Sequence, residues 1–383
     1  MRRWAKRLIL FTAAVAVVAA AVGYFAVPRA ARSDWALRKA EREMSSALGT
    51  PVHIGKLDFT WKNGFVATDV RTDPTSLGDM EAVWTVREVG FRPRPMRVFS
   101  KRPKAAAVLR EPRMELKWRG EVAQAAGVPV RPPSIRSPFA GRFKGLYLTD
   151  FTIEWGVVVI DHPSFIEPVR IDDIWASGEL DARKDAVRLE VRGLSARVNG
   201  GAVSARGRLE IRPQGASGRL SLSAQNVDVN DFVVEAVRNL QPMVEVEDGG
   251  THKGGMDLHV EGEARADRAG GLLSAFTGRG DLRIFGADLQ RSRILHVVGE
   301  AVGLPGLIAT RFHTVAQKFS VQNGRVLLEE VRAEASEGAL AMTGWVGPGG
   351  SLDVVVRLDP GLGRGPREAV RVIGTVRRPE AMK

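Results

Sequence analysis

The sequence contains no cysteine among its 383 residues. This absence excludes disulfide bonds as a source of stability, and it also excludes thiol chemistry and thiolate metal sites. Aromatic residues are scarce at 7%, with only two tyrosines, whereas 41 glycines are present. This composition is compatible with many strands that are joined by tight turns.

Catalytic motifs are absent as well: there is no Gly-x-Ser-x-Gly elbow, Walker loop or zinc-protease motif. The six histidines are scattered, and the closest approach to a cluster is His252, Asp257 and His259. Asp257 and His259 would share one face of a strand, as two metal ligands require, but a solvent-facing polar face explains them equally well and we favour it. We predict a protein that is not an enzyme, with no catalytic residue, metal or cofactor, although distant residues can converge in a fold.

A long uncharged run stands near the N-terminus. Residues 8–27 carry no charge over twenty positions, which gives about 30 Å of helix, the thickness of a hydrocarbon core. A cleavable signal peptide is the alternative, but its apolar core would be about 7–15 residues long. We therefore predict a cytoplasmic tail and transmembrane anchor over residues 1–27. Basic residues flank both sides of the run, and we interpret the short N-terminal tail as cytoplasmic and the large remainder as exported.

The positive charge is concentrated in the first part of the chain. Residues 1–145 carry 27 lysines and arginines against 12 acids, whereas residues 146–383 carry 29 against 32. A solvated surface beside an anionic bilayer explains this distribution, and direct contact with lipid headgroups is the sharper interpretation. Nucleic acid is not a predicted partner, because no recognisable binding module accompanies the charge.

The periodicity changes after a short helix. Ser33 or Asp34 can cap a helix start, Gly49 stands where a C-terminal cap is expected, and the apolar residues between them recur at helical spacing. This predicts an amphipathic helix within residues 28–49 that covers one end of a β structure. From Pro51 onward apolar and polar residues alternate, which predicts half-buried strands in one long antiparallel meander.

The alternation is found at many places along the chain. We predict strands near 52–60, 64–72, 82–91, 143–155, 187–192, 208–212, 220–223, 256–265, 280–289, 321–335, 339–346, 351–358 and 370–376. Two helices are predicted to interrupt them, from Asn230 and from Gln290. The Pro-rich stretch 127–140 is the best internal boundary, and it separates a basic membrane-proximal β region (50–140) from a β-rich C-terminal region (141–383).

Such a meander must bury its apolar face against something. If the sheet folds on itself into a closed sandwich, the apolar side chains form an ordinary core. If it curls without closing, they line a groove that can take acyl chains. The pattern alone does not separate these possibilities, and on physical grounds the sandwich is favoured.

Several segments resemble a known family. The opening LGTPVHIGKLDF around Gly49, the segment GLYLTDFTIEW at 145–155, GRGDLRIFGADLQ at 278–290 and FSVQNGRVLLEEVRAEASEGALAMTGWV at 319–346 are similar to AsmA-like envelope proteins, a family related to TamB and YhdP. LDVVVRLDP and VRVIGTVRRPE near the C-terminus continue the likeness. The order of anchor, helix, first hairpin and closing strands carries the resemblance.

The resemblance implies an elongated, taco-like β-sheet with a hydrophobic groove, anchored in the inner (cytoplasmic) membrane by a single span, with the bulk of the chain in the periplasm. The implied partners are phospholipids and the inner-membrane surface, with a possible envelope protein partner. Some fifteen strands would give a groove on the order of 70 Å long. Candidate groove residues are Leu189, Val191, Leu209, Ile211, Leu220, Leu222, Leu282, Ile284, Val326, Leu328, Val354 and Val356; an ordinary core is the alternative for each of them. A scaffold or assembly factor with a closed β core is the alternative function.

Overall fold

The three-dimensional description is a computed structural model. It describes residues 28–77, 80–93, 104–118, 147–163, 167–183, 186–243, 254–267, 271–272, 274–286, 292–359, 361–362 and 369–382. The predicted anchor at residues 8–27 lies outside these residues. Within the described part of the chain, no helix is long and apolar enough to cross a membrane.

One curled sheet of 18 strands dominates the molecule. Its strands are β1 (Val52–Thr60), β2 (Gly64–Thr72), β3 (Thr75–Leu77), β4 (Met80–Pro93), β5 (Lys104–Trp118), β6 (Tyr147–Asp161), β7 (Val169–Ala182), β8 (Val187–Val198), β9 (Gly201–Arg212), β10 (Gly215–Asp228), β11 (Gly255–Ala266), β12 (Phe276–Phe285), β13 (Phe312–Gln322), β14 (Arg325–Ala335), β15 (Gly338–Val346), β16 (Ser351–Leu358), β17 (Ala369–Thr375) and β18 (Arg378–Met382). The prediction of a mainly β fold is confirmed.

Strands that follow one another in the chain are neighbours in the sheet, with one short exception at β3. β2 pairs with both β1 and β4, and β3 is a short strand that pairs with β4 alone. The sheet then continues in chain order from β4 to β18. The described residues on either side of the Pro-rich stretch 127–140 therefore belong to one continuous sheet.

The prediction of a purely antiparallel meander is wrong at one place. β5 and β6 pair in parallel, with Lys104 opposite Tyr147 and Lys117 opposite Asp161, whereas the other pairings of described strands are antiparallel. A parallel pair requires a connection that returns along the length of the strands. Alternation of apolar and polar residues predicts which face of a strand is buried, but it does not predict the direction of the neighbouring strand. The parallel pairing could therefore not be predicted from the sequence pattern.

Four strands were missed, the short β3 and β18 as well as β5 and β7, and one was predicted with the wrong bounds. β5 lies in a basic stretch and contains Pro112, and β7 contains two adjacent acids, so neither shows a clean alternation. The predicted strand at 321–335 contains the last two residues of β13, a turn and β14. Asn323 and Gly324 form this turn with φ values of 51° and 73°, which is the backbone that a tight two-residue hairpin requires.

In the described part of the chain, three α-helices accompany the sheet: α1 (Asp34–Leu48), α2 (Asp231–Val237) and α3 (Arg293–Val302). Ser33 caps α1 by accepting a hydrogen bond from the Ala36 N–H at 3.3 Å, and Gly49 ends it in the left-handed conformation, as predicted. Asn230 caps α2 as predicted. α3 begins three residues later than the predicted Gln290, because Ser292 is its cap. Short 3-10 helices follow at Pro305–Ala309 and Pro348–Gly350.

The sheet curls strongly, and glycine permits the curl. Gly207, Gly262 and Gly278 all point to the inner face of the sheet. A Cβ atom at Gly262 would lie 2.5 Å from the carbonyl oxygen of Thr277, and one at Gly207 would lie 2.7 Å from that of Arg219. Neighbouring backbones therefore approach on the inner side as closely as only glycine allows.

Candidate functional site

The strand register separates two chemically different faces across the sheet. Leu189 lies opposite Leu209, Leu209 opposite Gly218, and Gly207 opposite Leu220. Because facing residues share a side of the sheet, these apolar residues form one inner face, and the intervening arginines and glutamates form the outer face. Over the described residues of β5 to β10, no Asp, Glu, Lys or Arg stands at an inner position.

Helices cover the inner face at both ends of the sheet. At the N-terminal end, Leu37, Ala40 and Met44 of α1 pack on a small cluster that includes Val52 and Ile54. At the C-terminal end, α2, α3 and the 3-10 helix at Pro305–Ala309 pack on β11 to β17 and form the largest buried cluster of the molecule. We call these the α1 end and the packed end.

Between the two ends, the middle part of the described inner face of β5 to β10 belongs to neither buried cluster, although one end of β10, at Ala224 and Val227, joins the packed end. Its larger apolar side chains are mostly half-buried, whereas several alanines such as Ala176 and Ala216 are buried. Leu220 is 42% exposed, which makes it the most accessible of the candidate groove residues. We call this inner surface the open groove.

The twelve candidate residues divide between these regions. Six lie in the open groove and are half-buried or exposed: Leu189, Val191, Leu209, Ile211, Leu220 and Leu222. The other six lie in the buried cluster of the packed end: Leu282, Ile284, Val326, Leu328, Val354 and Val356. For the second six, the alternative of an ordinary core describes their surroundings.

A buried polar contact marks the boundary of the packed end. The side chains of Gln241 and Gln317 are almost fully buried, and Nε2 of Gln241 donates to Oε1 of Gln317 at 3.0 Å. Nε2 of Gln317 donates to the Leu240 carbonyl at 2.6 Å, and the Met243 N–H donates to Oε1 of Gln241 at 3.2 Å. Since buried amides are costly when unpaired, this network fixes the segment after α2 against the inner face of β13.

The strands β6 and β7 supply groove residues that the sequence analysis did not name. Phe151 and Ile153 of β6 and Ile174 and Leu180 of β7 are half-buried at inner positions. In β7 the alternation is broken at Asp173, where a bulge with a φ of 50° inserts an extra outward residue. A pattern search that allows several bulges in a strand could have extended the predicted strand near 143–155 to the rest of β6 and could have found β7.

The outer face carries ion pairs both within strands and between neighbouring strands. Nη2 of Arg212 lies 2.6 Å from Oε1 of Glu210, and Arg188 approaches the same carboxylate at 3.4 Å. The hydrogen bond from Arg212 lowers the pKa of Glu210 below its ordinary value, so this carboxylate is ionised at neutral pH. On β16, Arg371 lowers the pKa of Asp353 through the same kind of contact. The outer face thus carries paired charges that are partly exposed to solvent.

A shallow depression of about 1030 Å³ crosses β8 to β12. Each strand contributes three consecutive residues, and the middle one points to the inner face, as Gly207, Leu220 and Gly262 do. The flanking residues are mainly arginines and glutamates of the outer face, such as Arg219 and Glu263, which pair at 3.1 Å. Because Val191 and Leu220 also line it, the depression overlaps the open groove, and the charged residues flank its apolar floor.

The histidine–aspartate cluster has no ligand geometry in the described part of the chain. Asp257 and His259 share the outer face of β11 as predicted, and Asp257 accepts a hydrogen bond from the Asn226 N–H at 2.8 Å. His252 lies outside the described residues. Over the residues that the structure describes, no group of three or more His, Cys, Asp or Glu side chains is arranged to hold a metal ion.

Comparison with known proteins adds no family. No family model matches the chain, and no curated protein matches it.

Proposed function

We propose that this protein is a membrane-anchored, non-enzymatic envelope protein that holds the acyl chains of phospholipids in the open groove. The observation that carries the proposal is the open groove, whose described inner positions are apolar and whose larger side chains are mostly half-buried, with Leu220 exposed. An apolar face of this extent is normally buried in a soluble domain, and an uncovered one is typical of a ligand-binding or interaction surface.

The dimensions of the groove suit an acyl chain. Six strands at about 4.8 Å spacing give a groove of about 24 Å along the sheet axis. Acyl chains of one leaflet fill about half of a 30 Å hydrocarbon core. Each methylene that leaves water for such a surface contributes about 0.8 kcal/mol. The lipid headgroup would remain in solvent at the rim, where the strands end.

The surrounding features support the same proposal. The uncharged run at 8–27 would anchor the chain in the inner membrane with the sheet in the periplasm, and the resemblance to AsmA-like proteins points to phospholipid handling in the envelope. No nucleotide or metal enters the proposal. Movement of lipid would follow a concentration difference or depend on a protein partner.

Photocrosslinking at two leucines of the same inner face tests the proposal. A diazirine analogue of leucine replaces Leu220 in the open groove or Leu282 in the packed end, which is 1% exposed. The full chain is extracted from cells in mild detergent and illuminated, and lipid adducts are identified by mass spectrometry. We expect phospholipid adducts at position 220 and none at 282.

Two further results bear on the outcome. The same analogue at Ser221, which faces the outer side next to Leu220, controls for adventitious lipid and should give no adduct. Absence of lipid adducts at 220, or equal adducts at 220 and 221, would contradict lipid binding in the groove.

A scaffold with a closed β core is the second candidate. It is favoured by the packed end, where β11 to β17 and their helices form a sealed core that leaves no accessible apolar surface at Leu282, Val354 or Val356. This function predicts that illumination at position 220 gives a protein adduct of defined mass in place of lipid.

A further inference from the structure

One side of α1 packs on the sheet, and the opposite side faces solvent. Leu37, Ala40 and Met44 point to the sheet and pack on its inner apolar residues. Glu41 and Ser45 bind the free edge of β1: Oε1 of Glu41 accepts from the Ile54 N–H at 3.0 Å, and Oγ of Ser45 accepts from the Val52 N–H at 2.8 Å. α1 is therefore fixed to the sheet through this side, and its other side is turned to solvent.

The solvent side of α1 is a stripe of cations with one tryptophan. Trp35, Arg38, Lys39 and Arg42 follow the spacing of one helix face, and all four are exposed, Trp35 by 62%. Nζ of Lys39 lies 5.1 Å from the centroid of the Trp35 ring. Within the described part of the chain, none of the three cations forms an ion pair with a carboxylate; Arg42 donates instead to the Arg38 carbonyl.

The β1–β2 turn adds a second tryptophan and a further cation at one end of this stripe. Nε of Arg32 donates to Oδ1 of Asp58 at 2.7 Å, and this contact lowers the pKa of Asp58 below its ordinary value. The contact holds the start of α1 beside the last part of β1. The following turn, with Trp61 52% exposed and Lys62 exposed, consequently lies at the same end of the molecule as residue 28.

We propose that the outer face of α1, together with the β1–β2 turn, binds the headgroup layer of an anionic bilayer. Lys and Arg side chains are attracted to an anionic leaflet within about a Debye length, and tryptophan is enriched at headgroup depth because its ring is apolar and its N–H is polar. The exposed acids Asp34 and Glu43 flank the stripe and offset part of its positive charge. We therefore expect docking to require an anionic surface, because a zwitterionic surface attracts the remaining charge too weakly. This site is separate from the open groove and does not depend on lipid binding there.

The absence of cysteine allows a site-specific test in the full chain. Ser46 lies on the exposed stripe, and Ser46→Cys gives a single thiol for an environment-sensitive dye. The labelled protein is reconstituted into phosphatidylcholine vesicles with or without phosphatidylglycerol, each containing a headgroup spin-labelled lipid as quencher. We expect strong quenching only when the anionic lipid is present, and weaker quenching at high salt.

Charge reversal supplies the decisive comparison. The variant R38E/K39E/R42E should lower the ratio of docked to undocked protein by roughly tenfold or more in anionic vesicles. The matched variant R311E/R357E/R378E reverses three exposed arginines far from α1 and should leave quenching unchanged. The lysine variant R38K/R42K should retain docking, because it keeps the charge.

Two results would overturn the proposal: equal quenching in both vesicle types, or quenching that survives R38E/K39E/R42E. Unchanged thermal melting of the variant shows that α1 is still folded on the sheet. Since lipid adducts at Leu220 are measured independently, failure of this surface and failure of the groove give different results.

Discussion

Single glycines determine how far this sheet can curl. At Gly262 and Gly278 the inner side of the strand faces the backbone of the neighbouring strand at a distance that excludes a methyl group. At Gly193, by contrast, a Cβ atom would meet nothing within 4 Å. Glycine is therefore required at Gly262 and Gly278 for the close approach of neighbouring strand backbones. At Gly193 the surrounding space would accept a larger residue.

This difference gives a matched pair of substitutions. We expect Gly262→Ala to destabilise the protein by about 1–3 kcal/mol, because the added methyl group overpacks the contact with Thr277 and the Phe276 ring. Gly193→Ala should be neutral or stabilising by up to about 1 kcal/mol, because it only restricts the unfolded chain. Urea unfolding followed by circular dichroism measures both. Equal destabilisation by the two variants would show that glycine does not limit the curl.

At the residue scale, the sequence predicts which side chains face inward but not how accessible they are. Leu220 and Leu282 have the same alternating neighbourhood and both were correctly placed on an apolar strand face. Their exposure differs because Leu282 belongs to the buried cluster that contains α2 and α3, whereas Leu220 lies outside that cluster. Coverage of this kind depends on where distant elements pack, and strand periodicity does not contain that information.

At the scale of elements, each end of the sheet has its own cover. α1 covers the free edge of β1, where the side chains of Glu41 and Ser45 accept hydrogen bonds from two strand N–H groups. An uncovered edge would pair with another chain, which is a common route to aggregation. The caps of α1, Ser33 and Gly49, were predictable because capping depends on local residues alone, whereas the contact with β1 was not.

Removing the edge contacts should release β1 without unfolding the sheet. In Glu41→Ala/Ser45→Ala, we expect the amides of Val52 and Ile54 to exchange with solvent at least about tenfold faster, since one lost hydrogen bond corresponds to roughly 1–1.5 kcal/mol. Glu43→Ala/Ser46→Ala changes exposed residues of the same helix and serves as the control. Hydrogen exchange with mass spectrometry measures both variants. Unchanged protection of β1 in the first variant would contradict the edge-capping role of α1.

The whole molecule combines a packed end with an open middle. The packed end contains the majority of the fully buried side chains, including Phe319, Met342 and Val354, whereas the inner side chains of β6 to β9 are mostly half-buried. Buried apolar area is the main source of stability in a domain. The two regions should therefore differ in local stability although they belong to one sheet.

Native-state hydrogen exchange in increasing urea tests this difference. We expect amides of β13 to β16 to exchange only through global unfolding, and amides of β6 to β8 to open at lower urea in a separate step. Added phospholipid that fills the open groove should raise the protection of β6 to β8 alone, because a ligand stabilises the state that binds it. A single cooperative opening of all strands would contradict the division into two regions.

The mainly β class and the order of most strands were predictable, because alternation and tight turns are local signals. Strand direction, the bulges of β7 and the open state of the middle were not. Whether an apolar face closes is decided by the curl at residues such as Gly262 and by the helices that reach it, and both depend on contacts between residues that are far apart in the chain.

The parallel pairing of β5 with β6 affects how the protein assembles over time. Each antiparallel hairpin can close as soon as its two strands exist, whereas the contact of Lys104 with Tyr147 must wait for a longer loop to close, which slows folding. Two meanders would thus form first and join last, and until then β5 and β6 would each present a free edge. This seam is the place where a second molecule could exchange strands with the first, so low protein concentration during refolding should favour the monomer.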